Sequence, residues 1–110
     1  MELRVISQPK LSPWAIVKDE FGHFFVARAN SLIPVSKEYR FIDPYPVDGF
    51  SRVSNSEGAW GMIYVPNGKE VIPCNYDVLS APYPGGHVLA VEMGKDPLDE
   101  AVWLHLPQIA

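Results

Sequence analysis

The sequence predicts an all-β fold, mainly antiparallel sheet built from repeated β-hairpins and without a long helix. Three observations lead there. Eleven prolines are spread over 110 residues, and a proline inside a helix removes a hydrogen bond and clashes with the preceding turn. Only the windows 14–33 and 47–65 are free of proline for long enough, and Gly22 interrupts the first while Gly49, Gly58 and Gly61 interrupt the second. Both windows carry aromatic and β-branched runs, HFFVAR and WGMIYV, with no 3.6-residue apolar period. That composition suits pleated, packed strands.

In chain order the expected strands are 2–6, 14–18, 23–28, 39–43, 50–54, 60–65, 87–93 and 101–106. Hairpins should join Val5 to Trp14, Val53 to Trp60 and Val91 to Trp103. Pro66-Asn67-Gly68-Lys69 closes the sixth strand, because Asn-Gly tolerates the positive φ of a tight reversal. Pro84-Gly85-Gly86 marks another turn before the seventh. Met62-Ile63-Tyr64-Val65 and Val88-Leu89-Ala90-Val91 are apolar at successive positions; such strands are buried on both faces or lie in a strongly curled sheet. A single helical turn is expected near Asp96–Ala101, with Asp96 as N-cap and Pro97 in the first turn.

The chain repeats itself. PYPVDGFSRV (44–53) aligns without gaps to PYPGGHVLAV (82–91), and a tryptophan follows each copy, Trp60 and Trp103. Arg4-Val5 and Trp14 form a third, partial copy. Unit one runs WAIVKDEFG, Leu32-Ile33-Pro34, Tyr39; unit two runs WGMIYVPNG, Val71-Ile72-Pro73, Tyr76, with the first longer between Gly22 and Pro34. The divisions are a partial unit 1–13, unit 14–59, unit 60–102 and a terminal strand 103–110, all within one domain. Repeat units bury their apolar faces by stacking, and end units diverge because one side meets solvent. Each Trp is therefore expected to anchor a unit interface, Gly61 to admit a neighbouring backbone, and Ile-Pro to end a strand.

The stretch GAWGMIYVPNGKEVIPCNYD (58–77) resembles the WG repeat of bacterial proteins, through Trp60, Gly61, Ile63, Asn67, Gly68, Lys69, Glu70, Val71, Ile72, Pro73, Tyr76 and Asp77, with Ala90 and Val91 in the closing strand. The first unit departs from that pattern at Ala15, and the last at Leu104. The resemblance implies an interaction module, and the repeated units themselves could form either a short solenoid-like stack or a barrel-like curl.

Composition narrows the partner. A net charge of -4 with nine Lys and Arg argues against nucleic acid, whose phosphates require a basic patch. An acidic domain is steered toward basic surfaces. No signal peptide or membrane-spanning run is evident, so no membrane association and a cytoplasmic location are expected. Cys74 is the single cysteine, which rules out an intramolecular disulfide.

Candidate chemistry is sparse. Cys74 could act as a nucleophile with His87 as base and Asp77 or Asp48 orienting it, but no motif surrounds it. His23, His87 and His105 are dispersed, and no metal or cofactor is expected. Asp96, Asp99 and Glu100 read as a solvated loop. The candidate binding residues are Tyr45, Asp48 and Phe50 on the first PYP loop, and Tyr83 and His87 on the second. Proline-fixed loops lose little entropy on binding, and tyrosine is favoured at interfaces; the competing expectation is that both tyrosines pack against the next unit. The function expected is non-catalytic protein binding, with an inhibitor or immunity protein as the sharper form. The rivals are a small enzyme using Cys74 and His87, and a structural unit that self-associates as a homo-oligomer.

Overall fold

The turns are set by short polar side chains that fold back on their own backbone. Asp19 Oδ1 accepts from the N–H groups of Phe21 and His23, both at 2.9 Å, and Asn55 Oδ1 from those of Glu57 and Ala59, both at 3.0 Å. Asn67 does the same for Lys69, Asp43 for Tyr45 and Asp96 for Leu98. Such Asx turns compete successfully with extended pairing. At Asp96 the Glu100 N–H also reaches the Asp96 carbonyl at 2.8 Å, closing the single helical turn expected there.

Between these turns the computed structural model, which describes residues 3–8 and 12–107, forms nine strands and no helix. They are β1 (Leu3–Ser7), β2 (Trp14–Asp19), β3 (Phe24–Arg28), β4 (Phe41–Ile42), β5 (Phe50–Ser54), β6 (Trp60–Tyr64), β7 (Lys69–Leu79), β8 (His87–Glu92) and β9 (Val102–His105). All pairings are antiparallel, in the orders β1-β2-β3 and β4-β5-β6-β7-β8-β9. Phe24 and Tyr39 exchange two backbone hydrogen bonds, 2.8 and 2.9 Å, and link the two sheets. The result is a meander with β1 and β9 outermost. All three expected hairpins form. Glu2, the first residue of the expected 2–6 strand, and residues 108–110 of the terminal segment lie outside the described residues.

The non-alternating strands have their cause in the packing. Successive residues of a strand point to opposite faces. On β6, Met62 packs with Phe50, Ile72, Leu79, Val88 and Ala90, whereas Ile63 packs with Ile16, Val26, Tyr39, Ile42, Val53 and Val65. The β5–β6 hairpin is thus covered on one face by β2 and β3 and on the other by the second half of β7 and β8. A third small cluster, Ala15, Val17 and Ala27, fills the far side of β2 and β3.

The expected strand list omits β7, the longest strand. Ile72-Pro73 was expected to end a strand, yet Pro73 sits inside this one. Met62 pairs with Ile72 and Trp60 with Tyr76, so three residues, Pro73, Cys74 and Asn75, oppose Gly61 alone. This is a bulge, where proline is tolerated because its missing N–H interrupts no ladder bond. The bulge also switches faces: Ile72 packs into the Met62 cluster, and Cys74, two residues on, into the Ile63 cluster. Beyond it, Tyr76 pairs with both Trp60 and Glu92, and β7 then runs along β8 alone to Leu79. Gly61 admits the neighbouring backbone as expected, since a Cβ there would lie 2.6 Å from the Ile72 carbonyl oxygen and 2.9 Å from the Cys74 nitrogen.

Two further expectations are corrected. The expected strand 39–43 contracts to β4, with Tyr39 held by its bridge to Phe24. The tryptophans are not equivalent: Trp14 and Trp60 are half-buried against the cores, but Trp103 is 57% exposed.

Candidate functional site

The β7–β8 hairpin presents the second PYP loop. Ser80 anchors its base, with its N–H to the Leu89 carbonyl and its Oγ accepting from Leu89 N–H, both 2.9 Å. Tyr83 and His87 then bridge, and the Gly86 N–H returns to the Tyr83 carbonyl at 3.0 Å across Pro84-Gly85. Gly85 has φ +91°, and a Cβ there would stand 3.2 Å from the His87 ring, so glycine is needed for both conformation and space. Leu106 N–H donates to the Gly86 carbonyl at 2.7 Å, which ties the end of β9 to the turn.

Register places the side chains. His87 pairs with His105, Leu89 with Trp103 and Val78 with Val91, and cross-strand partners share a face. Val88, Ala90 and Leu104 point inward to the Met62 cluster. His87, Leu89, Trp103 and His105 therefore line the outer face, with Val78 along its β7 margin. On it Trp103 meets the Tyr83 ring edge-on at 5.5 Å and His87 at 6.2 Å, and the two histidines lie with ring centroids 5.1 Å apart. Tyr83 is 48% exposed and Val78 is exposed as well, while Val91, which pairs with Val78, is buried.

The first PYP loop is built differently. Its hairpin closes through Val47 and Phe50 around Asp48 (φ 52°) and Gly49 (φ 87°), the paired positive φ of a type I′ turn. Tyr45 is 80% exposed and so does not pack against a neighbouring unit; Asp48 is exposed beside it. Phe50 is buried against Tyr64 at 5.2 Å within the Met62 cluster, and its ring offers no surface to a partner. Arg52 connects the roots of the two loops: Nη1 donates to the Leu79 carbonyl at 3.2 Å, Nη2 to Asp43 Oδ2 at 3.4 Å, and the guanidinium stacks over Trp60 at 5.5 Å. Of the five candidate residues, only Tyr83 and His87 converge. Trp103 and His105, which complete the surface, were not singled out as binding residues; their alternation with Leu104 on an outermost strand was the signal for them.

The proposed nucleophile and base are not brought together. Cys74 donates its Sγ–H to Glu70 Oε1 at 3.3 Å, and burial, then that bond and the Glu70 charge, push the thiol up to about 12. Such a thiol carries almost no thiolate near neutral pH. His87 bonds instead to His105, and Asp77 accepts from Gly94 N–H at 3.0 Å. His23 sits between Asp19 at 3.2 Å and Glu38 at 3.3 Å, stapling the β2–β3 turn. Burial raises the Asp19 carboxyl, but the hydrogen bonds from His23 N–H, Phe21 N–H and the His23 ring outweigh it and hold it below its ordinary value. Asp96 and Glu100 are spent on their own turn and on Lys95 at 3.6 Å, while Asp99 is exposed.

No protein-family model matches this chain, and neither a curated protein nor a solved structure matches it.

Proposed function

We propose that this domain works by binding another protein, without chemistry of its own, and that the outer face of β7, β8 and β9 is the surface it uses. The observation that carries the proposal is the uncovered aromatic group on that face, Trp103 at 57% exposure edge-on to Tyr83. Contiguous exposed apolar side chains mark interaction sites, and Trp and Tyr dominate the energetics of such surfaces. The backbone beneath them is held by the Pro84-Gly85 turn and the Leu106–Gly86 bond, so little ordering is needed on contact. A net charge of -4 favours a basic partner. No helix among the described residues is long and apolar enough to cross a membrane, and a cytoplasmic setting is part of the proposal. The resemblance of 58–77 to WG repeats, the small size and the acidity together support the narrower role of an inhibitor or immunity protein.

The test is co-purification from native extract with Trp103→Ala and Tyr83→Ala beside wild type and a distant control, Phe21→Ala. Both surface variants should lose a partner that wild type and the control retain, with unchanged melting. Retention of the same partner by all four proteins would refute the assignment. A second reading, self-association, is favoured by the outermost positions of β1 and β9, since strand edges template pairing between chains. Light scattering over a dilution series decides it: a monomer at every concentration removes it.

A further inference from the structure

We propose that His87 and His105 form a two-imidazole seat for a divalent late-transition-metal ion, bound most strongly as Cu²⁺. The inference rests on the geometry of the pair and not on the protein-binding reading. The two residues are directly opposed on β8 and β9, and their Nδ1 atoms are 3.4 Å apart. Imidazole nitrogens bind such ions at about 2.0–2.1 Å, so two of them on one ion at a tetrahedral angle stand about 3.3–3.4 Å apart. The separation already present is that of a tetrahedral site; the tetragonal geometry that Cu²⁺ prefers sets neighbouring nitrogens about 2.8–3.0 Å apart, so the two rings close by about 0.5 Å when copper binds.

The surroundings fit. Among the described residues, no Lys or Arg forms an ion pair or cation–π contact with either ring. The neighbours are Tyr83, Trp103 and the Gly85 turn, with Leu106 behind Gly86. The Leu106–Gly86 bond fixes β9 against the turn, so the strand pair holds the two backbones in register while the rings adjust. His105 is exposed, and water can complete the coordination shell. Without an ion, one Nδ1–H donates to the other Nδ1. On binding, the donor ring carries its proton on Nε2 instead, both Nδ1 lone pairs face the ion, and the charge of the rings is unchanged. Imidazole suits copper, nickel and zinc, and affinity for a given nitrogen site peaks at copper.

The experiment titrates untagged protein with Cu²⁺, Ni²⁺, Zn²⁺ and Mg²⁺ by calorimetry. Quenching of Trp103, 6.2 Å from His87, serves as a second signal. One equivalent of Cu²⁺ should bind per chain, more tightly than Ni²⁺ or Zn²⁺, with no Mg²⁺ binding. His87→Gln and His105→Gln should each weaken it at least tenfold, and His23→Gln should not. The electron paramagnetic resonance spectrum of the wild-type copper complex should show two nitrogen ligands, a readout that needs no variant. Absence of saturable binding, wild-type affinity in either variant, or a spectrum with fewer than two nitrogens would overturn the proposal. Because the surface variants Trp103→Ala and Tyr83→Ala keep both histidines, they should still bind copper even if the protein-binding proposal fails.

Discussion

Gly61→Ala is a sharp test of the packing, because the glycine has no positive φ and its role rests on space alone. The added methyl would lie 2.6 Å from the Ile72 carbonyl oxygen, 2.9 Å from the Cys74 nitrogen and 2.9 Å from its sulfur. Two of the three obstacles are backbone atoms of a bulge already held by the Met62–Ile72 and Trp60–Tyr76 pairs, so no rotamer change relieves them. Overpacking of this kind costs about 1–3 kcal/mol. Alanine returns about 0.4–1 kcal/mol by restricting the unfolded chain. The net expectation is a loss of about 1–2 kcal/mol, a fall in Tm of about 5–10 °C at this size. Urea unfolding followed by tryptophan fluorescence, with calorimetric Tm, measures it. Gly61→Ala/Cys74→Ala should not recover the loss, since only the sulfur contact disappears. Gly94→Asn is the contrast: its φ is +80° with nothing within 4 Å, and asparagine tolerates that conformation, so its effect should be small. A Gly61→Ala protein as stable as wild type would refute the close approach of β7 to β6.

The remaining predictions concern the core, the loop roots and the buried thiol. Met62→Ala and Ile63→Ala, adjacent and fully buried on opposite faces, should each cost about 2–5 kcal/mol in urea denaturation; a large loss at only one would mean that β6 has a single buried face. Arg52→Lys keeps the charge but not the forked contacts to Leu79 and Asp43 or the stacking on Trp60, and should lose about 1–2 kcal/mol; an unchanged denaturation midpoint would refute the linkage of the two loops. Because burial and Glu70 raise the Cys74 thiol from 9.0 to about 12, alkylation of the folded protein at pH 8 should run about a thousandfold slower than in urea. Glu70→Gln should speed it, and equal folded and unfolded rates would contradict the placement. The same shift has a stability consequence. The neutral thiol is favoured in the folded state, so its contribution is complete below the unfolded value near 9.0 and is lost as pH rises toward about 12. Tyr39, raised from 10.0 by burial and then by Glu70 and Cys74, acts in the same direction. Stability should therefore fall from about pH 9 upward, and a urea midpoint that stays flat from pH 8 to 11 would be inconsistent with both burials.

Local chemistry made the fold class, the three strand–turn–Trp hairpins and the Asp96 turn legible in the sequence. Proline placement, glycine, Asx side chains and β-branched runs act within a few residues of themselves, and they act the same way whatever surrounds them. The need for Gly61 was legible for a similar reason, as a strand glycine marks a close approach or a bulge. Tertiary structure decided the rest. Pro73 reads as a strand end, and only the bulge opposite Gly61 makes it the bend at which β7 changes partners and faces. Phe50 and Tyr45, five residues apart on one loop, read alike, yet one is core, because its ring packs among residues of β7 and β8, and the other faces solvent. Trp14, Trp60 and Trp103 share a sequence role, but Trp103 lies on β9, the outermost strand of its sheet among the described residues. The pairing of His87 with His105, eighteen residues apart, depends on the register of β8 and β9, which no local signal specifies. Burial on both faces could be suspected from the unbroken apolar strands; which layers supply it could not, because that depends on how distant segments stack.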